Sequence, residues 1–346
     1  MATLSVDISI FTTSSSIENF QERREAAKAL IDSLVSNGYV GIRGHGLPPE
    51  FFRSIFSQAK RFFALPPARK IEASHRASAG APPRGFTPAG IEHAAKSLET
   101  KEGGSSQGVT AADYKETFDV TSSSTEVEHP NVWLPEPTLP GFRSFMVDAY
   151  SQLHLLCHTI LDALMLGMGL TESECASIKD FHPGLRNQLR LNHYLPFPKQ
   201  MLESDEKTRL GAHMDWSTFT LVFQDIYPGL EFEDRASGGF ILAPLEEGLL
   251  YLNVGHMLER LSNGLLPASL HRVVVPDTLK DAFRGSETIP SRFSIPYFFS
   301  PRPDEPIAPQ ETRVKEDGST KYEPVTPRVF SERAFIAARA EDGPKN

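Results

Sequence analysis

Apolar residues recur at helical spacing in three stretches of the chain. These are residues 17–36, residues 48–64 and residues 140–169, and the second carries a thick stripe of phenylalanines. The spacing predicts amphipathic helices, and such a stripe is typical of core packing rather than of a ligand site. A run rich in Ser, Gly, Ala and Pro from Ala77 to Ala112 predicts a long loop or a partly ordered insertion.

Strand patterns occupy the start of the chain and most of its C-terminal half. Residues 5–10 alternate apolar and polar side chains, and a short apolar run around Val40 and Ile42 is bounded by glycines. From Gln188 onward, short β-rich runs are separated by Pro, Gly and Asn-Gly; their sequences are LRLNHYLP, FTLVFQD, GLEFED, GGFILAP, LLYLNVG, HRVVVP and RFSIPYFF. Short strands at this spacing predict an antiparallel barrel or a double-sheet jelly roll, with an N-terminal helical half wrapped around it.

Composition narrows the classes of function. The 346 residues include 35 Lys and Arg against 44 Asp and Glu, a formal charge of −9 without a basic block, which argues against nucleic-acid binding. Neither a membrane span nor a secretory signal is evident, so we expect a cytoplasmic protein without a membrane partner. Cys157 and Cys175 are too few for a disulfide framework and are expected to be free thiols in a reducing compartment.

Three pairs of polar residues interrupt the apolar runs at a spacing of two. Residues two apart in a strand point to the same face, so each pair can face the inside of a barrel. Buried polar groups cost free energy unless they have partners, and these pairs therefore predict bound ligands. The pairs are Asn192 with Tyr194, His213 with Asp215, and Arg292 with Ser294.

His213 and Asp215 gain significance from a third residue, His271. A His-x-Asp pair alone arises easily by chance, and either histidine alone is better explained by a hydrogen-bonded turn or core position. Two imidazoles and one carboxylate together form the facial triad of non-haem Fe(II) oxygenases, which leaves coordination positions open. The three residues are therefore the predicted metal ligands.

Arg292 and Ser294 predict an anion site. A guanidinium matches a carboxylate through two parallel hydrogen bonds, and a neighbouring hydroxyl can add a third. The alternative is a surface ion pair, but the flanking Phe293 and Ile295 indicate burial. A buried Arg without an acidic partner in its own strand predicts that the anion belongs to a ligand.

Taken together and in order, the motifs resemble the isopenicillin N synthase-like branch of the Fe(II)- and 2-oxoglutarate-dependent dioxygenases. The N-terminal part carries GYVGIRGHGLPPE, the Phe-rich helix, RGF and DYKETFDV, and the C-terminal part carries RLNHYLP, AHMDWSTFTLVFQD, LNVGHMLERLSNG, ASLHRVVVP and RFSIPYFF. The resemblance implies an α+β fold with a mainly β core, a double-stranded β-helix (jelly-roll) barrel wrapped by a helical or mixed N-terminal domain. It also implies an N-terminal dioxygenase-type domain at 1–120, a helical connection at 121–185, the jelly-roll domain at 186–302 and an extension packing on the barrel at 303–346.

The resemblance implies an enzyme that couples oxidative decarboxylation of 2-oxoglutarate to succinate with C–H oxidation of a small specialised metabolite. The outcome would be hydroxylation, desaturation or ring rearrangement. Fe(II), 2-oxoglutarate and O2 would be required, with ascorbate as a candidate reductant. The implied iron ligands are His213, Asp215 and His271, and the implied 2-oxoglutarate residues are Arg292, Ser294, Tyr194 and Asn192. One departure is Gly255-His256 where the family usually has Gly-Asp, at a position that is not an iron ligand.

Three aromatic residues are candidates for the substrate pocket. Phe298 follows Arg292 by an even number of residues and so shares its strand face, and Trp216 adjoins the metal ligand Asp215. Phe118 would come from the N-terminal half. Ordinary core packing explains these aromatics equally well.

Two other functions remain open at this point. Isopenicillin N synthase and aminocyclopropanecarboxylate oxidase use the same triad without 2-oxoglutarate, and Arg-x-Ser could then hold another acid; the Asn192/Tyr194 pair favours 2-oxoglutarate. A non-catalytic barrel that binds a small acid belongs to a different class, and it is disfavoured because all three metal ligands are present. The oligomeric state is not predicted.

Overall fold

The strands form two principal sheets, against which the helices pack. The computed structural model describes residues 5–13, 19–74, 83–94, 112–124, 129–202 and 207–332. The strands are β1 (Ser5–Asp7), β2 (Tyr39–Arg43), β3 (Gly85–Thr87), β4 (Ala112–Asp113), β5 (Lys115–Val120), β6 (Gln188–Tyr194), β7 (Phe197–Pro198), β8 (Lys207–Thr208), β9 (Leu210–His213), β10 (Phe219–Gln224), β11 (Leu230–Asp234), β12 (Gly239–Leu242), β13 (Leu250–Val254), β14 (His271–Val273), β15 (Thr288–Ile289) and β16 (Arg292–Phe299). The α-helices are α1 (Ser9–Thr13), α2 (Phe20–Asn37), α3 (Pro49–Phe63), α4 (Pro67–Ile71), α5 (Phe142–Met168), α6 (Glu172–Asp180), α7 (His256–Leu261) and α8 (Asp277–Ala282), and Lys199–Leu202 and Glu311–Arg313 form 3-10 turns.

The larger sheet combines strands from both halves of the chain. Its order is β1-β2-β13-β10-β16-β6-β5-β3, and its pairs are antiparallel except for the parallel pair β1-β2. Four of these strands come from the N-terminal half, so that half extends the sheet as well as covering it with helices. The local pattern of a short apolar run predicts a strand but does not show which distant strand it will pair with.

The smaller sheet has the order β12-β11-β14-β9 and is antiparallel. Its buried face packs against the larger sheet. Tyr39 of β2 stacks on Phe232 of β11 with ring centroids 3.9 Å apart, and Tyr194, Val222 and Val273 belong to the same apolar cluster. The two sheets thus enclose an interior. The polar pairs carried by β6, β9 and β16 point into it.

Helices cover the other face of the larger sheet and form the main hydrophobic core with it. The long helix α5 lies against α2, and Gly167 of α5 sits at a close approach. A Cβ atom at Gly167 would lie 2.6 Å from the carbonyl oxygen of Ala27 in α2. The lack of a side chain at this position therefore allows the two helices to approach each other.

The three predicted helices are confirmed as α2, α3 and α5, and the seven C-terminal runs all contain strands. The strand predicted for residues 5–10 is only partly right, because β1 ends at Asp7 and residues 9–13 are helical. Within the loop predicted from Ala77 to Ala112, Gly85–Thr87 forms β3 on the edge of the larger sheet. Residues 77–82 and 95–111 of that loop lie outside the described residues. Among helices of the described ranges, none combines the length and apolar character needed to cross a membrane.

Candidate active site

Two neighbouring strands of the smaller sheet bring the predicted metal ligands together. His213 ends β9, His271 begins β14, and the two are direct cross-strand partners with ring centroids 4.3 Å apart. Asp215 follows β9 by two residues, with Oδ1 3.7 Å from Nε2 of His213 and Oδ2 3.9 Å from Nε2 of His271. One candidate ligand atom from each residue lies within 4.8 Å of the other two.

Backbone carbonyls orient both imidazoles. Nδ1 of His213 is 2.9 Å from the carbonyl oxygen of Gly211, and Nδ1 of His271 is 3.1 Å from that of Ser269. A neutral imidazole that donates its Nδ1–H to a carbonyl presents the lone pair of Nε2 on the other side of the ring. Both Nε2 atoms are therefore available to the common centre.

Thr220 and Asn253 hold the carboxylate of Asp215. The Thr220 hydroxyl donates to Oδ2 at 2.6 Å, and the Asn253 amide donates to the same oxygen at 2.7 Å. Sequence reasoning missed both residues. The available signal was a polar side chain inside the buried runs FTLVFQD and LLYLNVG.

The protonation states suit a divalent cation. Burial, followed by the neighbouring His271, lowers the pKa of His213 to about 4. Burial acts to raise the pKa of Asp215, but the two histidines, Thr220 and Asn253 outweigh it and bring the pKa below its ordinary value. At neutral pH, His213 is thus neutral and Asp215 is charged, as metal binding requires.

The donor set fits a ferrous ion. Two imidazole nitrogens and one carboxylate oxygen are the ligands of the facial triad, which leaves positions open for other ligands. In the described part of the chain, these are the His, Cys, Asp and Glu residues close enough together to hold a metal ion.

A buried anion site lies on the adjoining strands β6 and β16. The register pairs Arg292 with Tyr194 and Ser294 with Asn192. Ser294 Oγ lies 3.2 Å from the Tyr194 hydroxyl and accepts a bond from the Asn192 amide at 3.3 Å. The structure thus brings the four predicted residues together.

Arg292 retains hydrogen-bonding capacity at this site. Its Nε donates to the carbonyl of Tyr227 at 3.0 Å, and one terminal nitrogen donates to the side chain of Gln224 at 2.8 Å. The other terminal nitrogen is buried without a hydrogen-bond partner. A carboxylate is the natural acceptor for this group beside the Ser294 and Tyr194 hydroxyls.

A cavity joins the triad to the anion site. Trp216 and Phe298, two of the three aromatic candidates, line it next to polar residues of β5 and β6. Phe118 is a correction: it is fully buried and contacts Phe62 and Phe142 in the hydrophobic core, and it is not among the cavity residues. Strand alternation explains this, because Lys115 faces the cavity side of β5 and Phe118 faces the helices.

A buried ion network forms part of the cavity wall, where Glu92, Lys115 and Arg190 line the cavity. Glu92 accepts from Arg190 at 2.9 Å and from Lys115 at 2.9 Å. Asp119 pairs with Arg190 at 2.7 Å, and Asp113 pairs with Lys115 at 2.9 Å while accepting from the Gly211 amide at 3.2 Å. Burial acts against the charge of Arg190, but Asp119 and Glu92 outweigh it and raise the Arg190 pKa. Sequence reasoning missed this network because its members are far apart in the chain.

Two other histidines in or near these strands contact carboxylates outside the triad. His193 points away from Asn192 and contacts Glu116, with Nδ1 2.8 Å from its carboxylate. His256 lies 3.4 Å from the carboxylate of Glu259. The predicted free thiols are confirmed, since Cys157 and Cys175 form no disulfide.

Known proteins match both halves of the chain. Residues 6–136 match the family described as non-haem dioxygenase in morphine synthesis, N-terminal, and residues 186–301 match the 2OG-Fe(II) oxygenase superfamily. The 2-oxoglutarate-dependent dioxygenase ecdK of Aspergillus rugulosus is 32% identical over 96% of this chain and 98% of its own length. The 2-oxoglutarate-Fe(II) type oxidoreductase ppzD of Metarhizium rileyi is 32% identical over 91% of this chain and 86% of its own length.

A solved structure extends the likeness to three dimensions. A full-length Neurospora crassa protein in complex with alpha-KG superposes with a TM-score of 0.81 at 26% identity, covering 97% of this chain and 96% of that chain. The same protein in complex with alpha-KG and thymine gives a TM-score of 0.80 at 27% identity, covering 96% of each chain.

Proposed function

Because the chain belongs to the Fe(II)- and 2-oxoglutarate-dependent oxygenases, we propose specific roles for its residues in that reaction. The enzyme couples oxidative decarboxylation of 2-oxoglutarate to succinate with oxidation of an organic substrate. His213, Asp215 and His271 would hold Fe(II), and Arg292 with Ser294 would hold the distal carboxylate of 2-oxoglutarate, assisted by Tyr194 and Asn192. The observation that carries these roles is a cavity with the triad on one side and an unpartnered Arg292 nitrogen on the other.

The bound iron supplies the activation of dioxygen and the oxidation of the C–H bond. The contribution of the chain is to position the reactants. Thr220 and Asn253 occupy Oδ2 of Asp215, so Oδ1 stays available to the metal. The carbonyls of Gly211 and Ser269 keep both imidazoles in one orientation.

The substrate would lie between an aromatic and a charged wall. Trp216 and Phe298 would contact a flat or apolar part of a small molecule, and Arg190 and Lys115 border the same cavity on the polar side. The family resemblance read from the sequence suggests a small specialised metabolite as the substrate class, and the Neurospora crassa protein, of similar fold, was solved with the small molecule thymine. Hydroxylation is the default outcome, with desaturation and ring rearrangement as variants.

The strands of the two sheets that lie within residues 186–302 would form a distorted jelly-roll barrel, which strands from the N-terminal half extend at both edges of the larger sheet. Antiparallel pairing in both sheets and the shared apolar cluster between them support this assignment. Residues 1–120 would form the N-terminal domain, 121–185 the helical connection and 303–346 the extension.

The decisive experiment is an anaerobic titration. Protein loaded with Fe(II) should develop a weak visible absorption band on addition of 2-oxoglutarate, because a keto acid must chelate the metal at two open positions. Admission of oxygen should then yield succinate, faster when a suitable small substrate is present. Asp215→Ala should show neither signal.

The alternatives give different results in the same titration. An enzyme of the isopenicillin N synthase type would bind iron without the 2-oxoglutarate band, and a non-catalytic barrel would give no succinate. Absence of the band with iron loading verified would therefore overturn the 2-oxoglutarate roles of Arg292 and Ser294. The names of the relatives favour the 2-oxoglutarate-dependent reaction over the first alternative.

A further inference from the structure

A second arginine is buried next to the anion site. Arg209 lies in the bend between β8 and β9 and is 1% exposed, while Arg292 is 0% exposed. One terminal nitrogen of Arg209 donates to the carbonyl of Pro290 at 2.7 Å, two residues before Arg292. Its Nε and its other terminal nitrogen have no hydrogen-bond partner. Three buried guanidinium nitrogens, two on Arg209 and one on Arg292, thus lack an acceptor.

The two guanidinium groups are close enough to interact electrostatically. Burial, followed by the positive charge of Arg292, lowers the pKa of Arg209 to about 10, whereas Tyr194 and Asp225 act in the opposite direction. Arg209 also directly precedes β9, the strand that ends in the metal ligand His213. It therefore lies between β9, the strand of His213, and the segment that leads into β16, the strand of Arg292.

Protein groups do not balance the charge. Within the described ranges, both guanidinium groups donate to backbone carbonyl or side-chain amide oxygens, and neither forms an ion pair with a carboxylate. Asp225 is the acid that interacts with both, but its oxygens accept from the amides of Tyr227 at 3.0 Å and Phe293 at 2.8 Å. Two cations and one anion leave one positive charge uncompensated in a buried site. Such a charge is costly unless a ligand brings the anion.

We propose that Arg209 is the second cation of the distal-carboxylate site and makes the enzyme selective for a 2-oxo diacid over a 2-oxo monoacid. The inference rests on the proposed binding of 2-oxoglutarate beside Arg292. One ligand carboxylate would restore neutrality with Arg209, Arg292 and Asp225. Arg209 is buried and is not among the residues that line the cavity, so it would act on the carboxylate through its charge, as a positioning residue rather than a catalytic one.

The test compares two ligands of equal chain length. 2-Oxovalerate has a methyl group where 2-oxoglutarate has its distal carboxylate, so it chelates the metal without engaging the arginines. Dissociation constants for both are measured by calorimetry on the full chain with Mn(II), which avoids turnover. We expect Arg209→Gln to weaken 2-oxoglutarate binding about 10- to 100-fold and 2-oxovalerate binding less than about threefold.

Three further variants complete the design. Arg292→Gln should likewise weaken the binding of 2-oxoglutarate far more than the binding of 2-oxovalerate. Arg235→Gln should leave both constants unchanged, because Arg235 is a half-buried arginine that donates to the carbonyls of Pro267 and Ala268. Arg209→Lys keeps the charge and guards against a folding failure of Arg209→Gln; we expect an intermediate loss that is confined to 2-oxoglutarate.

The outcomes separate this inference from the proposed function. If wild type binds 2-oxoglutarate and the Arg209 variants bind it as tightly, or weaken both ligands alike, Arg209 has only a structural role and the inference is overturned. If wild type binds no 2-oxoglutarate while Mn(II) is bound, the proposed function fails and the inference fails with it. Loss of affinity for the diacid alone supports the inference.

Discussion

The two carboxylate oxygens of Asp215 have different surroundings. Oδ2 accepts hydrogen bonds from Thr220 and Asn253, whereas Oδ1 lies near Nε2 of His213. This asymmetry fixes the carboxylate plane and leaves one oxygen for a metal. Metal binding at this site thus depends on a few atoms of Asp215 and its partners, and single substitutions can test their roles.

Asp215→Ala should abolish succinate formation and lower Fe(II) affinity. The loss of affinity should exceed the roughly 10- to 100-fold that follows when a metal ligand loses a hydrogen-bond partner. The reason is that the anionic member of the donor set is removed. The fold should persist, which circular dichroism and thermal unfolding would check. Asp234→Ala is the control with unchanged iron affinity, because Asp234 accepts from Ala236 and Ser237 in a turn at the end of β11. Full activity of Asp215→Ala with iron verified would contradict the metal assignment.

Thr220→Val should weaken Fe(II) binding by about 10- to 100-fold while the protein stays folded. Valine matches the shape of threonine but cannot donate to Oδ2 of Asp215, so the carboxylate loses one of its two supports. Metal titration measures the effect. Thr159→Val is the matched control, because that hydroxyl on α5 donates to the carbonyl of Leu155 instead. Equal iron affinity in both variants would show that the Thr220 bond does not support the metal site.

Whole elements are positioned by close backbone contacts as well as by side chains. The helices α2 and α5 meet at Gly167, and a Cβ atom there would lie 2.6 Å from a backbone oxygen and 2.6 Å from the side chain of Ile31. A backbone atom cannot move aside without shifting its helix. The contact therefore determines how α5 lies beside α2.

Gly167→Ala should lower the free energy of unfolding by about 1–3 kcal/mol, although alanine favours helices, because the added methyl group forces α2 and α5 apart. Urea denaturation would measure the change. Gly285→Ala provides the comparison, since a Cβ atom at Gly285 meets nothing within 4 Å. A Gly167→Ala protein as stable as wild type would show that the helices separate without cost.

At the scale of the whole molecule, a network of buried ion pairs connects the N-terminal half to the strands that carry the site. Glu92 reaches Arg190 on β6 and Lys115 on β5, and Asp113 continues the network to the Gly211 amide on the strand of His213. Glu92, Arg190 and Lys115 also line the cavity. This network therefore links the packing of the two halves to the shape of the candidate substrate pocket.

Glu92→Gln should destabilise the protein by about 1–3 kcal/mol, because Arg190 and Lys115 stay buried and charged while one shared counter-charge is lost. Chemical denaturation gives the magnitude. Glu50→Gln removes an exposed ion pair with Arg53 and should have little effect. If both variants match wild type, the buried network does not contribute to stability.

The elements and the donor chemistry of the candidate site could be inferred from residue order alone. Helical spacing marks α2, α3 and α5, and the spacing of two in strands places Asn192 with Tyr194 and Arg292 with Ser294 on shared faces. Residue type limits His213, Asp215 and His271 to a small set of roles. These features depend on local spacing or on side-chain chemistry, so they can be inferred from the sequence without the folded structure.

Which distant residues meet depends on the folded chain. The register of β9 with β14 brings His213 to His271, and the packing of the larger sheet, with β10 and β13, against the smaller sheet brings Thr220 and Asn253 to Asp215. The same packing places Phe118 in the core and Arg209 near Arg292. Contacts between strands far apart in the chain depend on register and packing, which no local pattern encodes, and the support of the site depends on those contacts.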